Sequence, residues 1–111
     1  MKDPLVFIKH ILEAIGKIER FTKDHSQEKF IKDELVQSAV VRQLEIIGEA
    51  VKNLPKEFTK KHPDIPWSEI AQTRDKMIHH YFGVDVGFVF KIVQIELPKL
   101  KKEIERILAN K

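Results

Sequence analysis

Between Thr73 and Asp85 the chain reads TRDKMIHHYFGVD, which sets an arginine, an aspartate, two adjacent histidines and the chain's only tyrosine among apolar residues. Each polar type has a use. An imidazole exchanges protons near neutral pH, and a guanidinium holds a phosphate and offsets charge developing on it. A carboxylate four residues before a histidine can fix its tautomer. At about 100° per helical residue, Asp75 shares a face with His79, whereas Arg74 lies about 140° away from it. Arg74 falls instead on the apolar meridian of Trp67, Ile70, Ala71, Met77, Ile78 and Tyr81. An unpaired buried guanidinium is costly. Arg74 is therefore expected either to pair with a carboxylate of the preceding long helix, such as Glu45 or Glu49, or to open onto a cavity or a subunit interface. Each residue also has a plain structural reading. Arg74 orients two helices, Asp75 and His79 form an exposed pair worth about 0.2–0.5 kcal/mol, His80 is a surface histidine, and Tyr81 buries its ring and keeps a polar tip.

Neighbouring helical positions diverge, no HxxxH or HxxEH spacing is present, and there is no cysteine, so no metal site and no other cofactor is expected. A Gly-rich phosphate loop and a GxSxG elbow are also missing from the sequence. Gly16 and Gly48 read as close-packing points within helices.

The elements that must position these residues are helical. DPLVFIKHILEAIGKIERF opens with Asp3 as N-cap and Pro4 at the first helical position, and Ile8, Ile11, Leu12, Ile15 and Ile18 recur at three-to-four spacing. From Ser26 as cap, a second helix is expected to run without a break to Pro55. It carries Phe30, Leu35, Val40, Val41, Leu44, Ile47, Val51 and Leu54 on one sector, which Val36, Ala39, Ile46 and Ala50 widen toward a second neighbour. PKEFTKKHPDIP, with three prolines and a basic cluster, predicts a short helical turn and a connection. WSEIAQTRDKMIHHYF forms the third main helix, stopped by Gly83. Asp85 caps the last, where Val89, Val93, Leu97, Leu100, Ile104 and Ile107 share a face and Pro98 imposes a kink. The expected fold is all-α: one domain over residues 1–111, an up-and-down bundle of four main helices with a short extra helical turn. The surplus apolar sector and the stranded Arg74 point to a symmetric homodimer.

Of the 111 residues, 42% are hydrophobic and 33% charged, a globular balance that excludes disorder. With no cysteine and no uncharged apolar run of bilayer length, a cytoplasmic protein without signal or membrane segment is expected. The net charge of +3 is uneven. Residues 1–55 balance nine Lys/Arg against nine Asp/Glu, while residues 56–111 hold eleven against eight, so a polyanion would feel the half that contains the polar stretch.

Arg74, His79 and Tyr81 spell R-x4-H-x-Y on the penultimate main helix. With LEIIGEAVKNLP upstream and HHYFGVD around the motif, the chain resembles, over nearly its whole length, the HepT-like branch of the HEPN superfamily, the toxin half of a two-component toxin–antitoxin pair. The resemblance implies a metal-independent ribonuclease acting on RNA, with Arg74 and His79 of two protomers lining one cleft and Asp75 in an orienting role. It also implies that Tyr81 accepts adenylyl groups from a cognate minimal nucleotidyltransferase antitoxin, which silences the toxin. Members of the branch have a second reading, as non-catalytic helper subunits that bind substrate for a separate nucleotidyltransferase. A purely structural dimeric bundle is the third. A helical bundle hosts any of them, so activity separates them, not fold.

Overall fold

The computed structural model describes residues 3–80 and 85–110, with the side chains of residues 74 and 77–80 excepted. Its first helix, α1 (Pro4–Thr22), starts where the Asp3 carboxylate accepts the Leu5 N–H at 3.0 Å and proline takes a position that needs no donor. Ile8, Ile11, Ile15 and Ile18 are fully buried along one stripe, each contributing about 1.5–3 kcal/mol by leaving water. Among the described residues an added Cβ at Gly16 would meet only the Arg20 guanidinium, at 3.7 Å, so they do not pack closely on it as expected. The chain leaves α1 through Asp24, whose φ of 66° is tolerated by a short polar side chain.

The helix expected to run unbroken from Ser26 to Pro55 is two helices. Ser26 caps α2 (Gln27–Ile31), and Asp33 caps a fresh start, α3 (Glu34–Lys52), by accepting the Val36 N–H at 3.1 Å. The free carbonyls at the end of α2 also find a donor, because the Gln37 amide gives hydrogen bonds to Phe30 O at 2.8 Å and Ile31 O at 2.9 Å. These bonds satisfy part of the backbone that the break would otherwise leave unpaired. It also shifts the helical phase. Phe30 is fully buried against Phe90, ring centroids 5.2 Å apart, while Leu35, expected on the same apolar sector, is 80% exposed in the first turn of α3.

From α3 onward Val40, Val41, Leu44, Ile47, Val51 and Leu54 are buried as their spacing requires. The short helical turn is α4 (Lys56–Lys61), and the third main helix is α5 (Trp67–His80). The Gly83 stop lies outside the described residues. Asp85 caps α6 (Val86–Lys91) by accepting the Phe88 N–H at 3.0 Å. The expected interruption at Pro98 takes the form of a π-helical turn, Ile92–Glu96, leading straight into α7 (Leu97–Ala109). A wider turn suits a proline that lacks an N–H and whose ring would crowd the carbonyl four residues back. The stripe Val89, Val93, Leu97, Leu100, Ile104 and Ile107 stays buried throughout.

The result is all-α, with four longer helices, α1, α3, α5 and α7. The helix α3 lies against both α1 and α5, and α7 packs on α1, where Lys101 Nζ meets both Glu19 carboxylate oxygens at 3.1 Å. No helix among the described residues is long and apolar enough to cross a membrane.

Candidate active site

Everything expected of the R-x4-H-x-Y stretch depends on α5, and α5 is fixed at its first residue. The Trp67 indole is buried and donates to His62 O at 3.0 Å, and Phe58 of α4 packs its ring 4.8 Å from His62 and 6.3 Å from Trp67. Ile70 and Ala71 then pack against the core. The helix continues without interruption to His80, so positions 74 and 79 share one rigid rod. They are separated by about 7.5 Å along the axis and about 140° around it. The side chains of Arg74 and His79, and the whole of Tyr81, lie outside what the structure describes, as does the pairing of Arg74 with Glu45 or Glu49.

Asp75 is described. Its carboxylate is exposed, with one oxygen 3.7 Å from Lys52 Nζ at the end of α3. This pair ties α5 to α3 and gives Asp75 a cationic neighbour that helical spacing does not assign. An exposed pair of this length stabilises little, so it leaves Asp75 soft rather than locked. Among the described residues no three His, Asp or Glu side chains cluster as a metal-ligand set.

Two further groups of polar residues emerge only in three dimensions. At the α2–α3 break, His25 Nε2 lies 3.0 Å from Asp33 Oδ2, and its Nδ1 lies 3.3 Å from Lys23 O. The His25 hydrogen bond, followed by the Val36 N–H, holds the Asp33 carboxyl below the ordinary aspartate value. A signal for this corner was present in the sequence, since Asp33 followed by Glu34 is a helix-start pattern inside an otherwise helical run. The second group borders an open cleft of about 360 Å³ between α4 and the start of α5, lined by Lys60, Pro63, Pro66, Trp67, Ser68 and Glu69. The basic cluster of PKEFTKKHP marks its position in the sequence.

Comparison with known proteins gives a consistent result. The family model described as "Ribonuclease HepT-like" matches residues 11–107. A protein of Thermococcus cleftensis named "Probable ribonuclease HepT" is 50% identical over 101 residues, 91% of this chain and 92% of its own. One from Caldanaerobacter subterraneus subsp. tengcongensis named "Putative RNase" is 48% identical over 108 residues, covering 97% and 96%. A Methanocaldococcus jannaschii protein named "Gamma-glutamylcyclotransferase and putative RNase" is 49% identical over 107 residues, 96% of this chain. This chain spans about half, 48%, of that longer relative. No solved structure matches the chain.

Proposed function

The chain belongs to the HepT-like ribonuclease family, and from that premise we propose that it is the ribonuclease toxin of a toxin–antitoxin pair, cleaving RNA without a metal ion at a site that two copies build together. The observation that carries this reading is R-x4-H on α5, a continuous helix inside the family-matched segment. On one rod the two side chains diverge. A two-fold axis beside α5 brings the arginine of one protomer toward the histidine of its partner, because an isologous interface presents the same patch twice. The main packing of α5 among the described residues is against α3, which is compatible with a second copy on another face.

In this site His79 takes the proton from a ribose 2′-hydroxyl as the oxygen attacks the adjacent phosphorus. The bond to the 5′-oxygen breaks, the leaving oxygen takes a proton from the second protomer's histidine at the same position or from water, and a 2′,3′-cyclic phosphate remains. Arg74 binds the phosphate and offsets the charge that grows on its oxygens. Asp75 orients. In this reading the protein works in the cytoplasm, which its cysteine-free composition suits.

Cleavage of single-stranded RNA by the folded protein in the presence of EDTA is the expected result. It should fall at least a hundredfold in Arg74→Ala or His79→Ala, with no cleavage of an all-deoxy strand. Unchanged cleavage in the double variant, or a protein that stays monomeric while active, refutes the composite site. A protein that binds RNA and never cuts it is the helper subunit instead.

Tyr81 is the switch in this reading. A nucleotidyl group on its phenol sets negative phosphate and a bulky base two residues beyond His79, competing with substrate for charge and space. Since Tyr81 is the only tyrosine, intact mass after incubation with the partner nucleotidyltransferase, ATP and Mg²⁺ should rise by adenylyl increments in wild type and not in Tyr81→Phe. Equal modification of both proteins refutes the assignment.

A further inference from the structure

The cleft between α4 and α5 has a composition that packing alone does not require. Lys56, Lys60 and Lys61 are all exposed on α4, and among the described residues none of them has a carboxylate within ion-pair distance. Lys52 meets Asp75, Lys32 meets Glu28, Lys17 meets Glu13 and Lys101 meets Glu19, whereas Lys29 and Lys99 share the unpaired state of the α4 lysines among the described residues, so what distinguishes those on α4 is their grouping beside the cleft. The three on α4 stand on a fixed platform, because the Phe58, His62 and Trp67 rings lock α4 to the start of α5 and the indole N–H is held by His62 O. Lys60 shares the lining of the cleft with Pro63, Pro66, Ser68 and Glu69, and with the buried Trp67.

A cation, apolar prolines and oxygen acceptors in one cleft match the three parts of a nucleotide. Lysine takes the phosphate, rings and prolines take the base face, and hydroxyl or carboxylate oxygens accept from exocyclic amino groups. The volume of about 360 Å³ is within the range of small-ligand sites. Its location matters equally. Arg74 follows Trp67 by seven residues of unbroken α5, which is two turns along the same meridian and about 10 Å of rise. We infer that the α4–α5 cleft is a subsite for a nucleotide flanking the cleaved bond, in which Lys60, backed by Lys56 and Lys61, holds the backbone of single-stranded RNA while the base lies on the exposed Pro63 and Pro66 rings, with Trp67 fixing the cleft from beneath.

The inference rests on the ribonuclease reading for its position, but its test does not need cleavage. Binding of a labelled, non-cleavable 2′-O-methyl oligoribonucleotide is measured across a salt series for wild type, Lys60→Ala/Lys61→Ala and, as a control remote from the cleft, Lys102→Ala. The double variant should bind more weakly, and the slope of log affinity against log salt should shrink by about 0.7 for each phosphate that no longer meets a lysine, about 1.4 for two. The control should keep the wild-type slope. An abasic strand of equal length should bind wild type less tightly than the intact strand. With a cleavable RNA, KM should rise in the double variant while kcat holds. An unchanged salt slope, or a weakening matched by Lys102→Ala, overturns the subsite, and equal binding of abasic and intact strands overturns the base contact. If the cleft-dependent binding appears without any cleavage, the cleft stands as an RNA-binding site and the ribonuclease reading, with the placement beside a cleaved bond, fails. Cleavage with unaltered KM and binding in the double variant means that the ribonuclease reading stands and the subsite fails.

Discussion

Two corners of this bundle use polar side chains in opposite ways. At the α2–α3 corner the polar groups that set the geometry turn inward on the chain itself: Ser26 and Asp33 cap helices, Gln37 donates to the end of α2, and His25 meets Asp33. At the α4–α5 corner prolines and aromatic rings set the geometry, and the lysines are left facing solvent beside an open cleft. A corner whose geometry is set by hydrogen bonds has those polar groups committed to the fold. One built from rings and prolines needs no such closure, so its charges remain available. The second corner is also the one that anchors the helix carrying R-x4-H.

The largest test of this contrast is stability. Phe30 is fully buried on the first corner, so Phe30→Ala should cost about 3–5 kcal/mol in urea unfolding. Trp67→Phe keeps most of the apolar volume and removes the bond to His62 O, which should cost on the order of 1–2 kcal/mol. Nucleic-acid binding should respond in the opposite order once each protein is compared in its folded state, with the Trp67 variant the more affected. Equal effects of both variants on binding would break the distinction between the corners.

A smaller effect isolates the charge at the first corner. Asparagine caps a helix about as well as aspartate, so Asp33→Asn retains the Val36 bond and loses only the ionised partner of His25. The Asp33 carboxyl is held below its ordinary value, chiefly by His25. A depressed folded value means that its stabilisation is fully present above the unfolded aspartate value, near pH 4, and is lost as pH falls through the folded value. Wild type should therefore be more stable than Asp33→Asn at pH 7, and the gap should close in acid. Thermal unfolding at pH 7 and at about pH 3 reads this directly, and a gap of the same size at both would show that the charge plays no part.

Much of the helical architecture was readable from local signals. Asp3, Ser26 and Asp85 act as the caps expected of them, and the stripes on α1, on α3 and from α6 through α7 are buried where their spacing put them, with Leu12 of α1 only half-buried. Leu35 is the instructive exception. By periodicity it belongs with Phe30, yet it is 80% exposed because the helix restarts between them. The order of Arg74, Asp75, His79 and Tyr81 was equally plain from the sequence, as was the helical frame that carries the first three.

What the sequence determined by itself is what depends on residues within about one turn of each other: which segments are helical, where caps begin them, which face is apolar, and that R-x4-H rides on a single helix. Tertiary structure decided what depends on partners further apart. Asp33 could end one helix and start another because His25 and Gln37, eight residues before and four after, arrive beside the break. Pro98 became a π turn within a continuous buried stripe, since the core holds both sides of it in line. Asp75 met Lys52 only because α5 lies against α3. The basic cluster of α4 became the rim of a cleft only when Trp67 docked its indole under His62. Local periodicity carries no information about such pairings, because the energy that selects them comes from surfaces that come together only when the helices pack.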